Sequence, residues 1–194
     1  MHLIFATHNN NKAKEIHALL GDNFKISTLY DIGITEEIPE TGQTLEENAI
    51  QKAREVFKLT NLNCFADDTG LEVEVLNNAP GVYSARYAGQ QKNSSDNINL
   101  LLSQMQNETN RNARFKTVIC LILDGKEYLF EGILNGVITH TPSGSNGFGY
   151  DPIFMPEGFS KTLAEISLEE KNKISHRAKA FILLKNFIAQ YKKL

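Results

Sequence analysis

The chain has 194 residues, of which 41% are hydrophobic and 22% charged, with a formal net charge of −3. That length suits one domain, or two small lobes around one cleft, with a real apolar core. The slight acidic excess argues against a general nucleic-acid surface, which carries a basic surplus, but leaves room for one small anion held by a few local cations. No apolar run approaches the roughly 20 residues of a membrane span. The N-terminus lacks a charged region followed by an apolar one, so a cytoplasmic protein without a signal peptide or membrane contact is expected. Cys64 and Cys120 sit inside apolar runs with neither disulfide nor metal spacing, and are expected as buried thiols.

His2–Ala6 reads as a short strand and Thr7–Lys12 as a polar loop. Helical spacing then runs through Ala13, Ile16, Leu19 and Leu20 until Gly21 stops it. This strand–loop–helix order places Thr7, Asn9 and Lys12 where α/β proteins gather ligands, at a strand's carboxyl end and a helix N-terminus. Phe24–Leu29 is a second strand. Thr44 and Glu47 have capping-box spacing before a long helix with an apolar stripe of Leu45, Ala49, Ile50, Ala53, Val56 and Phe57. Glu47 is then a cap and Glu40, in the preceding loop, a freer carboxylate. Asn48 and Lys52, one turn apart, read as solvated positions by themselves, or as residues facing a cleft.

Asn63–Leu71 is an apolar run that ends in Asp67, Asp68, Thr69 and Gly70. Strict alternation in Leu71–Val75 suggests a second strand leaving a tight turn. Side chains alternate along an extended segment, so the two aspartates should point in opposite directions, one to a cleft and one anchoring the turn. A carboxylate presented this way suits a hard cation such as Mg²⁺. Read alone, the run is also ordinary turn composition.

Pro80–Gly81 turns the chain into an extended piece reaching Tyr87. Ser94 or Ser95 caps a helix bearing Ile98, Leu101, Leu102 and Met105. Two long strands, from about Asn112 to Asp124 and from Glu127 to Thr139, flank the hairpin signal Asp124–Gly125. Their length suits a second lobe or a dimer surface. Thr141–Asp151 is rich in Gly and Ser and ends in aromatics, as either a surface loop or one that closes over a flat ring. Ser167–Lys171 is a short capped turn, and Ser175 opens a last helix with Phe181, Leu184, Ile188 and Tyr191 on one stripe. Lys12, His176 and Arg177 occupy first turns of helices, where the dipole disfavours cations; an anionic ligand would supply a reason.

Six blocks in order carry a resemblance: Ala6-Thr7-x-Asn9-x-x-Lys12-x-x-Glu15; Glu40-Thr41-Gly42-x-Thr44-x-x-Glu47-Asn48-Ala49; Ala66-Asp67-Asp68-Thr69-Gly70-Leu71; Pro80-Gly81-x-Tyr83-Ser84-Ala85-Arg86; Gly147-Phe148-Gly149-Tyr150-Asp151-Pro152-Ile153-Phe154; and Ser175-His176-Arg177. Together they span nearly the whole chain, and they resemble the inosine triphosphate pyrophosphatase family, also called dITP/XTP pyrophosphatases. His8 departs from the small residue or asparagine of many members, and Thr69 from the usual bacterial serine while keeping the hydroxyl.

The resemblance implies an ITPase-like α/β fold of Maf-like, anticodon-binding-like architecture. This is a mixed, twisted sheet in two lobes of a single 1–194 domain, with a central nucleotide cleft, in a homodimer. It implies hydrolysis of deaminated purine nucleoside triphosphates to the monophosphate and pyrophosphate with Mg²⁺, which keeps such nucleotides out of DNA and RNA. Glu40 and Asp68 would hold the metal, with Asp68 also the proton acceptor. Thr7, His8, Asn9, Asn10, Asn11 and Lys12 would bind phosphates, with Thr69 and Lys171 as further substrate contacts. Phe148 would stack on the base, with Gly149, Tyr150 and Asp151 in the same loop. Donors on His176 and Arg177 would pair with the C6 oxygen of hypoxanthine or xanthine and mispair with the amino group of adenine, at a cost of about 1–3 kcal/mol per mispaired contact. The rival readings are a pyrophosphatase for modified pyrimidine triphosphates and a non-catalytic nucleotide sensor.

Overall fold

The structure, a computed structural model, describes residues 1–20 and 25–191. The expected helix stop at Gly21 and strand start at Phe24, with the side chain of Leu20, lie outside the described residues. Six strands form one mixed sheet in the order β2-β1-β3-β4-β5-β6: β1 His2–Phe5, β2 Lys25–Thr28, β3 Cys64–Val73, β4 Asn112–Leu123, β5 Lys126–Ile138 and β6 Phe154–Pro156. β1 runs parallel to both β2 and β3, with Phe5 opposite Thr28 on one side and Phe65 on the other, whereas β5 and β6 are antiparallel. The helices are α1 Asn10–Leu20, α2 Leu45–Thr60, α3 Ser94–Gln104, α4 Leu168–Ile174 and α5 His176–Tyr191.

The chain divides into two compact units, and β3, β4 and β5 each pass from one to the other. The first comprises Met1–Asp68, Thr117–Gly132 and His176–Leu194. Its core gathers Phe5, Ile16, Phe65, Ile119, Phe181 and Leu184, with the Phe5 and Phe65 rings stacked at 4.5 Å. Cys64 and Cys120 are buried free thiols there, and burial pushes both up to about 12. Asp124 and Gly125 both adopt positive φ (50° and 75°), the geometry of a two-residue hairpin turn between β4 and β5. Gly132 of β5 is a close-approach position: a Cβ there would collide with the His176 carbonyl and lie 2.5 Å from the Ala180 nitrogen. The start of α5, carrying His176 and Arg177, thus lies directly on the strand.

The second unit, Thr69–Lys116 and Ile133–Ser175, is built around Leu71, Leu101, Met105, Tyr150, Ile153 and Phe154. Here the structure corrects three expectations. Asp67–Gly70 is no turn between two strands, since β3 runs unbroken from Cys64 to Val73. Gly70 serves instead as a point of approach, where a Cβ would lie 2.6 Å from the Gly81 carbonyl oxygen. Residues Gly81–Arg86 form a 3-10 helix, not an extended piece, and Ser84 ties it to the strand by accepting from the Leu71 amide at 2.9 Å. The cap of α3 is Asn93, whose side chain accepts from the amides of Ser95 and Asp96, so neither serine caps it. Asn93 stands one residue ahead of the helix, where its side-chain oxygen meets the free amides of the first turn, and both serines lie inside the helix.

Candidate active site

At the end of β1 the chain folds back on its own side chains. Buried Thr7 accepts from the Asn9 amide at 3.1 Å, and Asn9 accepts from the amides of Asn11 and Lys12 at 2.9 and 3.1 Å. Asn9 therefore acts as N-cap and α1 begins at Asn10, leaving Asn10 and Asn11 exposed in its first turn. His8 is tethered to the Ile34 carbonyl oxygen at 3.0 Å and edges onto Tyr30. Lys12 reaches Asp67 with Nζ 2.9 Å from Oδ1, which offsets the dipole penalty of its position.

The two aspartates of β3 do point to different partners, as alternation requires. Asp67 accepts from Lys12 and, at 3.1 Å, from Nε of Arg177, whose Nη1 pairs with buried Glu15 of α1. Burial would raise the Asp67 pKa, but Lys12 and Arg177 outweigh it and hold the carboxyl well below the usual range. Burial, with Lys52 and Arg177 nearby, lowers the Lys12 pKa. Arg177 is 1% exposed, so its guanidinium is in the first place the counter-ion of Asp67 and Glu15. His176, beside it, is also buried.

Asp68 faces α2. It accepts from Asn48 Nδ2 at 3.0 Å and lies 3.4 Å from Lys52 Nζ, which also meets Glu40 Oε1 at 2.5 Å. Asn48 and Lys52 are thus buried participants, not the solvated positions they resemble in isolation. They occupy the buried stripe of α2 with Leu45, Ala49, Ala53 and Val56. A polar residue inside an apolar helical period is the signal that could have revealed them. Burial pulls the Lys52 pKa down, but Asp68 and Glu40 win and raise it. Burial, helped by Glu40, raises that of Asp68. The N-terminus of α2 departs slightly from a capping box: Thr44 accepts from the Glu47 amide, but Glu47 reaches back to the Gln43 amide.

The second unit carries a smaller polar group. Asp151 Oδ2 accepts from the Phe148 amide at 2.8 Å and from Lys171 Nζ at 2.6 Å, and Lys171 Nζ stands 4.9 Å from the Phe148 ring centre. Asp151 and Lys171 are almost fully buried, while Phe148 is half-buried. Gly147 and Gly149 take positive φ (75° and 62°), and a Cβ on Gly147 would strike the Asp151 carboxylate. Ser167 and Glu170 form a full capping box at the start of α4, which delivers Lys171 one turn later. Tyr150 is built into the core, its hydroxyl donating to the Ser84 carbonyl oxygen at 3.0 Å. Thr69 is half-buried at the first residue of this unit.

Two carboxylates converge on one ammonium, with a second acid–base cluster beside them on the same strand, which concentrates charge of both signs at one place. A family model described as Ham1 family matches residues 3–187. The chain belongs to the Ham1 family. Among Ham1 relatives, the dITP/XTP pyrophosphatase of Flavobacterium psychrophilum is 56% identical over 187 residues, covering 96% of this chain and 98% of its own. That of Thermoanaerobacter sp. (strain X514) is 49% identical over 191 residues, covering 97% and 96%. The Ham1 protein of Staphylococcus aureus superposes with a TM-score of 0.89 at 39% identity, over 98% of this chain and 100% of that one. The Coxiella burnetii HAM1 protein gives 0.90 at 37% identity, over 98% and 99%. The expected family and the mixed α/β fold are thereby borne out.

Proposed function

We propose that this Ham1 protein is a dITP/XTP pyrophosphatase, hydrolysing deaminated purine nucleoside triphosphates to the monophosphate and pyrophosphate. The observation that carries the reading is the convergence of Glu40 and Asp68 on Lys52 Nζ, in a chain whose relatives carry that name over nearly their whole length. Water attacks the α-phosphorus, the bond to the bridging oxygen breaks, and pyrophosphate leaves with the bond's electron pair. Asp68 takes the proton of the attacking water.

The donor set fits Mg²⁺. Two carboxylates already share one cationic centre, and among the described residues no group of three or more His, Cys, Asp or Glu side chains forms a closed cage. Mg²⁺ is ordinarily held by one or two carboxylates with waters and substrate phosphates filling the remaining positions. Bound there by Glu40 and Asp68, it would neutralise phosphate charge and orient the nucleophile. Lys52 keeps the carboxylate pair together, and Lys12 with the Thr7–Asn11 segment takes up phosphate charge.

On the base, Phe148 supplies the stacking face, its backbone held by Asp151, while Lys171 and Thr69 contact the substrate. His176 and Arg177 provide donors for the C6 oxygen, Arg177 from within its ion pairs to Asp67 and Glu15. No described helix is long and apolar enough to cross a membrane. We place the enzyme in the cytoplasm, as a homodimer. A turnover panel of ITP, dITP, XTP, dUTP, dTTP, GTP and ATP with Mg²⁺, scored for pyrophosphate against orthophosphate, tests the reading. Preferred, pyrophosphate-releasing turnover of ITP, dITP and XTP is expected. Preference for a pyrimidine, or binding without turnover, would overturn it.

A further inference from the structure

The side chain of Asn48 is wholly buried, and both ends of its amide are in use. Oδ1 accepts from the Gly42 amide at 2.8 Å, and Nδ2 donates to Asp68 Oδ2 at 3.0 Å. The amide cannot be turned over: that would set its oxygen against a carboxylate and its NH₂ against a backbone N–H. We infer that Asn48 is a positioning residue that fixes which oxygen of Asp68 is presented beside Glu40, and locks the segment carrying Glu40 to the same helix.

Three observations support this. With Oδ2 engaged by Asn48, it is Oδ1 of Asp68 that faces Lys52 Nζ, the group that also meets Glu40. Gly42, two residues after Glu40, rides directly on α2: a Cβ there would fall 2.6 Å from Glu47 Cβ and 2.8 Å from Asn48 Oδ1. Asn48 and Lys52 stand one turn apart, so a single rigid helix carries both the donor to Asp68 Oδ2 and the ammonium that Asp68 Oδ1 shares with Glu40. No substitution of similar size does both jobs: Asp lacks the donor, Leu lacks both ends, and Ser is too short to span the two partners.

The inference rests on the metal and base roles proposed for Glu40 and Asp68, and its test separates the two. Mn²⁺ binding to the nucleotide-free protein, followed by electron paramagnetic resonance, is compared among wild type, Asn48→Ala and Asn48→Ser, together with kcat and KM for ITP at saturating metal and the circular dichroism spectrum. Expected are about tenfold to hundredfold weaker Mn²⁺ binding and a similar fall in kcat, with KM for ITP changed less than about threefold and the spectrum unchanged. If Asn48→Ala does not fold, Asn48→Ser, which leaves a smaller and polar gap, decides. A folded variant that binds Mn²⁺ like wild type overturns the positioning role alone. Wild type that binds no Mn²⁺ overturns the metal site, and the inference with it.

Discussion

The two polar groups of this molecule solve different problems. In the first unit, charges are packed against charges: Lys12, Asp67, Arg177 and Glu15 form one largely buried chain, and Glu40, Lys52 and Asp68 another that reaches the surface at Glu40, each entered by one of two adjacent residues of one strand. In the second unit a buried ion pair, Lys171 with Asp151, supports a half-exposed aromatic ring. The first arrangement is costly to desolvate and is repaid only when every charge has its counterpart. It suits a site for a polyanion and a hard cation. The second is mostly a device for holding a flat apolar surface and the loop behind it. On the function proposed above, the charged group is where bonds would change and the aromatic group where a ligand would be chosen.

If that division holds, the greatest loss of turnover comes from the first unit. Asp68→Asn keeps the Asn48 and Lys52 neighbours but removes the carboxylate proposed as proton acceptor and metal ligand. We expect kcat for ITP to fall by about 10³-fold or more in a protein that still folds, with a smaller stability loss than at Asp67 because Lys52 keeps Glu40 as a partner. Wild-type-like pyrophosphate release would remove Asp68 from the mechanism.

Asp67→Asn probes charge pairing where two cations share one carboxylate. A stability loss of about 3–5 kcal/mol by denaturant unfolding is expected. The pH dependence follows from the depressed pKa of Asp67 in the folded protein. Unfolded, the carboxyl titrates near 4, so its stabilising contribution is complete above about pH 4 and disappears as pH falls toward the folded value. Wild type should therefore lose stability on acidification more steeply than Asp67→Asn. Equal slopes would show that Asp67 does not carry the network.

Asp151→Asn makes the matching change in the second unit. With one ion pair affected, about 2–3 kcal/mol of stability should go. KM for ITP should rise more than kcat falls, because the ring and its loop are displaced while the carboxylates of the first unit are untouched. A kcat loss as deep as that of Asp68→Asn would break the comparison. The smallest effect is expected at Arg54, whose exposed guanidinium pairs with Glu127 at 2.7 and 2.9 Å; Arg54→Ala should cost less than about 1 kcal/mol and leave turnover unchanged. A larger cost would mean that pairing on the surface matters as much as pairing inside.

Much of this was legible in the residues. The strand–loop–helix opening, the stripe of α2, the Asp124–Gly125 turn and the capped start of α4 are local patterns that close within a few positions, so sequence alone determined them, although not that Asn9 caps α1 and starts it at Asn10. The ordered blocks determined the family, and alternation settled that Asp67 and Asp68 would face apart. Tertiary structure decided the rest. That Asp-Asp-Thr-Gly lies inside a strand depends on β1 and β4 arriving on either side of β3. That Asn48 and Lys52 are buried depends on Asp68 and Glu40 being there to receive them. That Glu15 matters depends on Arg177, 162 positions away, lying against it. Those partners are distant along the chain, and burying a charge is favourable only after its counterpart has arrived, which no local pattern can state.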